Sequence, residues 1–556
     1  MRPPALSAVL RGRYVPGAAA LQLSDDWQPI ADGSGHVGGE TPPECAAWWP
    51  ADRRSELADG RYVLASIHRN GKLLLGRAPS GALPLYWHRG RGGEVAFATT
   101  LDTLIGMLPH RPRWSEAGLD EYLRFLDIAP PATVYEGIFA LRAGQVIEID
   151  ASSAKVSERN GPRPAPPATY ENACDEVESA LGVAIDEALA DTRAPACFLS
   201  GGIDSALLCA LASRRGHTVS AWTAGFRDPE LDESVIARRI ATHLGIEHHV
   251  LIPDTTALLD VFRRAHIEAE QPYSDPAGLP TRLLFEACAA VADRVLDGTG
   301  AEALPGLMPP RWRRIAHDWC ARLPHPARRA LREGMLRVPR LKDYARMFDF
   351  DHACDLYIRW NGFRTDEIAA LTGRTADLSH THFVRSHAAL RGASHLMLQS
   401  VLQGEAAPDD RLQQAARATG LALEQPFATA RLQRLLRSIP EEWCWTPQRP
   451  KRLLRDLLAR QVPETLWNVP KRGFNINLVG LLQAHDHRLI REHLSHPATD
   501  LPLDPVEVTR WRDRFVGGDK RCAHKVWALV NLAAWMHARA DSATPSRAGD
   551  NATRLP

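Results

Sequence analysis

The sequence predicts an α/β fold in two modules, on three observations. Residues 197–199 are an apolar run, Cys-Phe-Leu, that stops at the turn Ser200-Gly201-Gly202-Ile203-Asp204-Ser205 and passes into a helix-like segment, the grammar of a parallel α/β sheet. Residues 61 to 148 instead hold several short strand-like runs around one helical segment. Between the two regions, Ser152 to Thr169 is polar and carries Gly161, Pro162, Pro164, Pro166 and Pro167, the composition of a linker.

The elements follow in order. Arg61–Ala65 and Lys72–Arg77 read as strands, followed by Pro84–Trp87 and Val95–Ala98; Glu121–Phe125 reads as a helix, and Thr133–Ile138 with Leu141–Gln145 closes the first module. Its expected bounds are residues 1–150, with the linker at 151–170 and the second module at 171–539. In that module Ala221–Phe226 and Val291–Leu296 read as further strands. Residues 540–556 are Ser, Thr, Arg and Asp rich and are expected to be disordered. At 556 residues the chain is long enough for two or three domains with ample core.

The turn at Ser200–Ser205 is where chemistry is expected. A small polar loop opening a helix aims backbone N–H groups and the positive end of the helix at one point, which suits a pyrophosphate. Gly201 and Gly202 permit close backbone approach and positive φ, Ser200 and Ser205 add hydroxyl donors, and Asp204 is placed to hold magnesium. No lysine follows the glycines, so the loop is not a Walker A. The plain alternative is a helix cap made by Ser200 or Asp204.

With its downstream landmarks, this region resembles the synthetase domain of the asparagine synthetase superfamily. The landmarks are Ala221–Phe226, Asp232-Glu233-Ser234, His248-His249, Asp275-Pro276-Ala277, Asp297-Gly298-Thr299-Gly300-Ala301-Glu302, Lys451–Arg455 and Pro470-Lys471-Arg472-Gly473-Phe474, in the family's order. The resemblance implies a parallel α/β domain of the adenine-nucleotide alpha-hydrolase-like (PP-loop) kind with helical additions. It implies ATP and Mg2+ as cofactors, with AMP and pyrophosphate released. Leu199, Ser200, Gly201, Gly202, Asp204, Ser205, Ala224 and Gly298 would contact ATP, and Asp204 and Glu302 would share the metal. Lys471 and Glu302 would be the catalytic residues, the lysine stabilising charge on the acyl phosphate. Thr299, Glu302 and Ala303 depart from the family's acidic residue, Asp and Glu, which bears on base catalysis and metal geometry. Gly298–Ala303 also fits a dinucleotide fingerprint, but the matching acid, Asp318, falls in a helix-like Arg/Trp-rich segment rather than at a strand end.

The first module resembles the amino-terminal glutamine-amidohydrolase fold of the same superfamily, an α/β sandwich of sheets between helices. That fold uses a cysteine directly after the initiator methionine; position 2 is Arg2 and the first cysteine is Cys45, so glutamine hydrolysis is not expected. The amine is then expected on the substrate itself, and closure within one bound molecule gains an effective molarity on the order of 10⁵ M. Among relatives, the lasso peptide cyclases fit best. They join the N-terminal amine of a precursor peptide to an Asp or Glu side chain as a macrolactam, for antibiotic biosynthesis, with a leader peptidase as partner. β-Lactam synthetases, which close a ring on a small amino acid, ammonia-dependent asparagine synthesis and a non-catalytic scaffold are the alternatives. A tRNA-modifying pyrophosphatase would leave residues 61 to 148 unexplained.

Composition narrows the partners. The formal charge of +1 names none, and nucleic acid is not expected. Nine cysteines without a CxxC pair read as reduced thiols, and no stretch resembles a signal peptide or reaches membrane length, so a cytoplasmic protein without a membrane partner is expected. Residues 311 to 346 hold eleven basic and three acidic residues with Trp312 and Trp319 interleaved, a solvated surface or a platform for a peptide substrate.

Overall fold

The computed structural model describes residues 10–15, 20–25, 28–29, 36–40, 59–67, 71–150, 153–158, 164–301, 304, 311–341, 345, 348, 352–356, 362–390, 393–394, 398, 410–469, 476–495 and 501–543. The protein is a mixed α/β molecule. Among the described residues its first module holds eleven strands: β1 (Arg11–Val15), β2 (Ala20–Leu23), β3 (Gln28–Pro29), β4 (His36–Glu40), β5 (Arg61–Ile67), β6 (Leu73–Arg77), β7 (Tyr86–Arg89), β8 (Val95–Ala98), β9 (Ile138–Ala140), β10 (Gln145–Ile149) and β11 (Ala154–Glu158). They form two antiparallel sheets, ordered β2-β1-β8-β7-β9 and β11-β10-β6-β5-β4-β3.

One cluster joins the inner faces of these sheets, Tyr14, Leu85, Trp87, Val95 and Phe97 from the first against Val63, Ala65, Leu73, Leu75, Ile147 and Ile149 from the second. The alternation of apolar residues along the strands puts them on one face. Helices Leu101–Gly106 and Glu116–Phe125 cover the other face of the first sheet through Leu101, Leu104, Leu119, Tyr122 and Leu123. Among the described residues no helix of this module packs on the outside of the second sheet, so the expected helix-covered sandwich is covered on one side. Arg77 is buried, and its guanidinium donates to the carbonyls of Leu83 (2.7 Å), Leu141 (3.0 Å) and Gly81.

Residues Ala154–Glu158 correct the expected linker. They form β11, an edge strand paired with β10 from Gln145↔Glu158 to Ile149↔Ala154. Its one large apolar side chain, Val156, is exposed, so backbone pairing holds the strand and leaves no hydrophobic periodicity to read. At the other end, the helix Ala523–Ala543 runs past the expected boundary at 539; residues 544–556 lie outside those described.

The second module is built on a five-stranded parallel sheet: β12 (Pro195–Phe198), β13 (Ser220–Ala224), β14 (His248–Leu251), β15 (Arg294–Leu296) and β16 (Ala422–Glu424), ordered β14-β13-β12-β15-β16. Both faces are covered, so the strands are nearly continuous in apolar residues. Cys197, Leu199, Ala221 and Leu296 face helices Tyr170–Leu189, Ile203–Arg214, Ser234–Leu244 and Arg452–Ala459; Ala196, Phe198, Trp222 and Val295 face helices Gly278–Ala289 and Arg411–Thr419. Successive strands step outward from β12 on one side and from β15 on the other. The order therefore reverses between β12 and β15, and the crevice beyond their carboxyl ends is where such sheets bind ligands.

The two modules share a core. Tyr122 bonds to the Ser274 hydroxyl and donates to the carbonyl of Ala528 (2.8 Å), while Trp527 Nε1 donates to the carbonyl of Ser274 (3.0 Å). Arg124 forms a fully buried ion pair with Asp355. Val134 N–H donates to Gln271 Oε1 (2.9 Å) and Ser274 N–H to the carbonyl of Leu126 (3.0 Å).

Candidate active site

β12 ends at Phe198, and the chain turns through Leu199–Gly202 into the helix Ile203–Arg214. Leu199 is still tied to the sheet: its N–H donates to the carbonyl of Trp222 (2.9 Å), and its own carbonyl accepts from Thr223 Oγ1. Beyond it the loop braces itself. Ser200 N–H donates to Ser205 Oγ and Gly202 N–H to Ser200 Oγ, both at 3.0 Å, and the two hydroxyls lie 3.0 Å apart. The serine hydroxyls expected to reach toward phosphate are thus engaged in shaping the loop. Neither Gly201 nor Gly202 takes a positive φ. Their role is space: a Cβ on Gly201 would lie 3.2 Å from Ile236, and one on Gly202 2.9 Å from Ser200 Oγ.

What the loop presents outward is backbone. Gly202 is the extended N-cap of the helix and makes no side-chain cap bond, so the first-turn N–H groups of Ile203, Asp204 and Ser205 have no acceptor within the helix. Together with the helix dipole, they form an anion-facing end at the crevice between β12 and β15.

Asp204 stands at that end. Its Oδ2 accepts from Lys451 Nζ at 2.7 Å, while Oδ1 is buried and has no hydrogen-bond partner. A carboxylate oxygen left bare and out of water is costly unless something else meets it, and an oxygen donor of this kind fits a hard divalent cation. Among the described residues no group of three or more His, Cys, Asp or Glu side chains has metal-binding geometry. The expected metal partner, Glu302, lies outside the described residues, as do Ala303 and Lys471.

Gly298 closes the other side of the crevice. A Cβ there would lie 3.2 Å from both Asp204 Cβ and Ser205 N, so only glycine lets the end of β15 approach the helix start. Asp297 shapes this turn, its Oδ1 accepting from Thr299 N–H (2.9 Å). Gly300 has φ of +99° and faces away from the loop: a Cβ would meet the backbone of Phe427 and Ala428 at 2.8 and 2.6 Å. Gly298–Gly300 of the dinucleotide-like run therefore form a packing turn, and Asp318 sits in the helix Arg311–Ala321.

Ala224 ends β13 beside the loop and is buried. Asp232 holds the segment after it: Oδ1 accepts from Phe226 N–H (3.2 Å) and Ser234 N–H (3.1 Å), and Oδ2 from the Ser234 hydroxyl (2.8 Å). His248 Nε2 lies 2.8 Å from Thr223 Oγ1, whose proton goes to Leu199, so Nε2 is the donor. Burial, with Arg238 and His249, lowers the pKa of this imidazole.

Lys451 has a role that its local sequence does not reveal, because a lysine ahead of Arg452–Arg455 reads equally well as an exposed helix face. In the fold it is buried, takes a left-handed φ of +52° at the start of the helix Arg452–Ala459, and points its ammonium at Asp204. The signal available in the sequence was the Leu453, Leu454, Leu457 and Leu458 pattern, which buries one face of that helix on Ile203–Arg214 and so brings its first residue to the loop.

The helices Gly278–Ala289 and Arg411–Thr419 each run back before a parallel strand, so their first residues lie at the same sheet edge. There Arg411 pairs with Asp275 (2.8 Å), and Tyr273 donates to the same carboxylate (3.3 Å). A cavity of about 200 Å³ begins at these side chains and continues past Gln414, His266 and Trp527. The Asp127 carboxyl, from the first module, is pushed up to about 7 by burial and then by Asp410 and Asp275.

Residues 176–537 match the family described as asparagine synthase, and residues 49–159 match a glutamine amidotransferase domain. A Mycobacterium bovis protein provisionally named a glutamine-hydrolysing asparagine synthetase is 24% identical over 524 residues, 86% of this chain and 79% of that one. Asparagine synthetase [glutamine-hydrolyzing] 1 of Bacillus subtilis is 21% identical over 506 residues, 86% of this chain and 77% of its own. Among solved structures, the NH3-dependent NAD synthetase of Campylobacter jejuni overlaps 24% of this chain and 59% of its own at 20% identity and a TM-score of 0.19, too slight to bear on the fold.

Proposed function

The chain belongs to the asparagine synthase family, and from that premise we propose that it closes an amide inside its own substrate. It is an ATP-dependent carbon–nitrogen ligase that releases AMP and pyrophosphate. The proposed substrate is a precursor peptide whose N-terminal amine, freed by a partner peptidase, is joined to an Asp or Glu side chain as a macrolactam, in the manner of lasso peptide biosynthesis in the cytoplasm.

The chemistry has two steps. A carboxylate oxygen attacks the α-phosphorus of ATP, the bond to the β-phosphate oxygen breaks, and pyrophosphate leaves. The amine nitrogen then attacks the acyl carbon, AMP departs with the carbon–oxygen bonding pair, and the surplus proton passes to solvent.

The first-turn N–H groups of Ile203, Asp204 and Ser205 receive the leaving pyrophosphate. Lys451 supplies a fixed cation beside it, and Lys471 is proposed as the second, toward the acyl phosphate. Asp204 through Oδ1, with Glu302, would hold magnesium, which when bound neutralises phosphate charge. The single observation that carries the nucleotide chemistry is the bare Asp204 Oδ1 at an uncapped helix end.

The source of the amine is a separate question. No described residue of the first module is a cysteine. This supports an amine carried by the substrate. The names of the relatives favour a second reading, asparagine formation, here with free ammonia. The two are separated by incubating the full chain with ATP and magnesium and either a linear peptide bearing a free N-terminus and an acidic side chain, or aspartate with ammonium. Pyrophosphate released only with the peptide supports macrolactam formation; release only with aspartate and ammonium supports the second reading.

A further inference from the structure

Eight of the eighteen large hydrophobic side chains left exposed among the described residues fall between positions 312 and 341. They are Trp312, Ile315, Trp319 and Leu323, then Leu331, Leu336, Val338 and Leu341, and the two tryptophans are 55% and 64% exposed. Trp312, Ile315 and Trp319 are spaced i, i+3, i+7 and share one face of the helix Arg311–Ala321. Cys320 and Arg328 are buried, so each of the two consecutive helices, Arg311–Ala321 and His325–Leu336, has an inner side already packed. The exposed face is what remains.

Its charge is one-sided. The segment 311–341 holds nine arginines against Asp318 and Glu333, in a chain whose formal charge is +1. Arg311, Arg322, Arg329, Arg337 and Arg340 are exposed, and the Arg322 guanidinium lies 5.0 Å over the Trp319 ring. Proteins rarely place several large apolar side chains such as Trp312, Ile315 and Trp319 together in water without a use for them. Tryptophan on a helix face flanked by arginine is the pattern of a helix lying in the plane of a lipid interface, rings at headgroup depth and guanidinium groups on lipid phosphates.

We propose that this pair of helices adsorbs to an anionic lipid surface and holds the protein at a membrane face. The inference is independent of which amide the protein makes. No described helix is long and apolar enough to cross a membrane, and the sequence expectation of no membrane partner rested on that length; adsorption in the plane needs no span. A peptide held in a groove is disfavoured because none of these side chains lines the cavity at Tyr273 and Arg411.

The test is co-sedimentation of the full chain with vesicles of phosphatidylglycerol or of phosphatidylcholine. Binding to phosphatidylglycerol should be roughly tenfold or more above that to phosphatidylcholine and should fall in high salt. Trp312→Ser/Trp319→Ser and Arg311→Glu/Arg322→Glu should each lose it while ATP–pyrophosphate exchange and circular dichroism stay as in the parent. No binding to phosphatidylglycerol, or undiminished binding by both variants, would overturn the proposal. Capture on immobilised polyglutamate without vesicle binding would also overturn it, and would mark the face as a surface for acidic peptides.

Discussion

Lys451 Nζ lies 2.7 Å from Asp204 Oδ2, joining residues 247 positions apart. The contact is set by packing: leucines 453, 454, 457 and 458 bury the helix Arg452–Ala459 beside Ile203–Arg214, and a left-handed φ at Lys451 turns its side chain to the loop. A left-handed non-glycine residue costs about 1 to 2 kcal/mol, so the cation is held there at the expense of local strain.

Lys451→Met should therefore cut ATP–pyrophosphate exchange by roughly 10² to 10³-fold, the usual loss when one fixed donor to developing charge is removed. Stability should fall by only about 1 to 2 kcal/mol, because the carboxylate left behind is partly solvated. Lys451→Arg keeps the charge and should recover part of the exchange. Wild-type exchange in the Met variant would remove Lys451 from the phosphate site.

Two nearby glycines should respond differently. Gly298→Ala presses on Asp204 and the Ser205 N–H at 3.2 Å, so exchange should drop by roughly tenfold or more with a denaturation midpoint close to the parent's. Gly300→Ala meets backbone at 2.6 Å with φ of +99°, so it should lower stability by about 2 kcal/mol or more. Steady-state exchange beside urea unfolding separates the two effects.

Arg124 and Asp355 form an ion pair with side-chain exposures of 0% and 1%, one on the first module and one on the second. Arg124→Ala leaves a buried charge unpaired and should cost about 3 to 5 kcal/mol, whereas Arg124→Leu/Asp355→Leu should recover much of that loss. Equal destabilisation by the single and double changes, measured by urea unfolding, would contradict this.

Glu121 is fully buried. Oε1 accepts from Ala129 N–H at 3.4 Å and Oε2 has no partner. Burial first, and then Asp127, pushes its carboxyl up from 4.5 to about 8. The folded protein thus keeps a proton that the unfolded chain loses near pH 4.5, so stability falls as pH rises from there to about 8. Glu121→Gln should flatten that slope and be the more stable protein above pH 8, as thermal melts across the range would record.

Much of the fold is legible from local pattern. The strands at 61–98, the run into Ser200 and the helix after it follow from apolar periodicity and glycine placement. β11 was hidden because an edge strand is held by backbone pairing and leaves its one large side chain in water. At the site, Asp204 and Gly298 were legible as types, since a phosphate loop needs a carboxylate and a close approach. Lys451 was not, because its role depends on a helix packing 247 residues away from its partner. The serine hydroxyls were legible as loop residues but not as braces, a matter of rotamers that spacing does not encode.

The most direct test of the central claim is mass spectrometry of a linear peptide with a free N-terminal amine and an internal Asp or Glu, incubated with the full chain, ATP and magnesium. The account predicts a product lighter by one water, resistant to aminopeptidase, with one AMP and one pyrophosphate released per ring. Unchanged peptide across varied sequences, while aspartate and ammonium give asparagine with AMP and pyrophosphate, would contradict it.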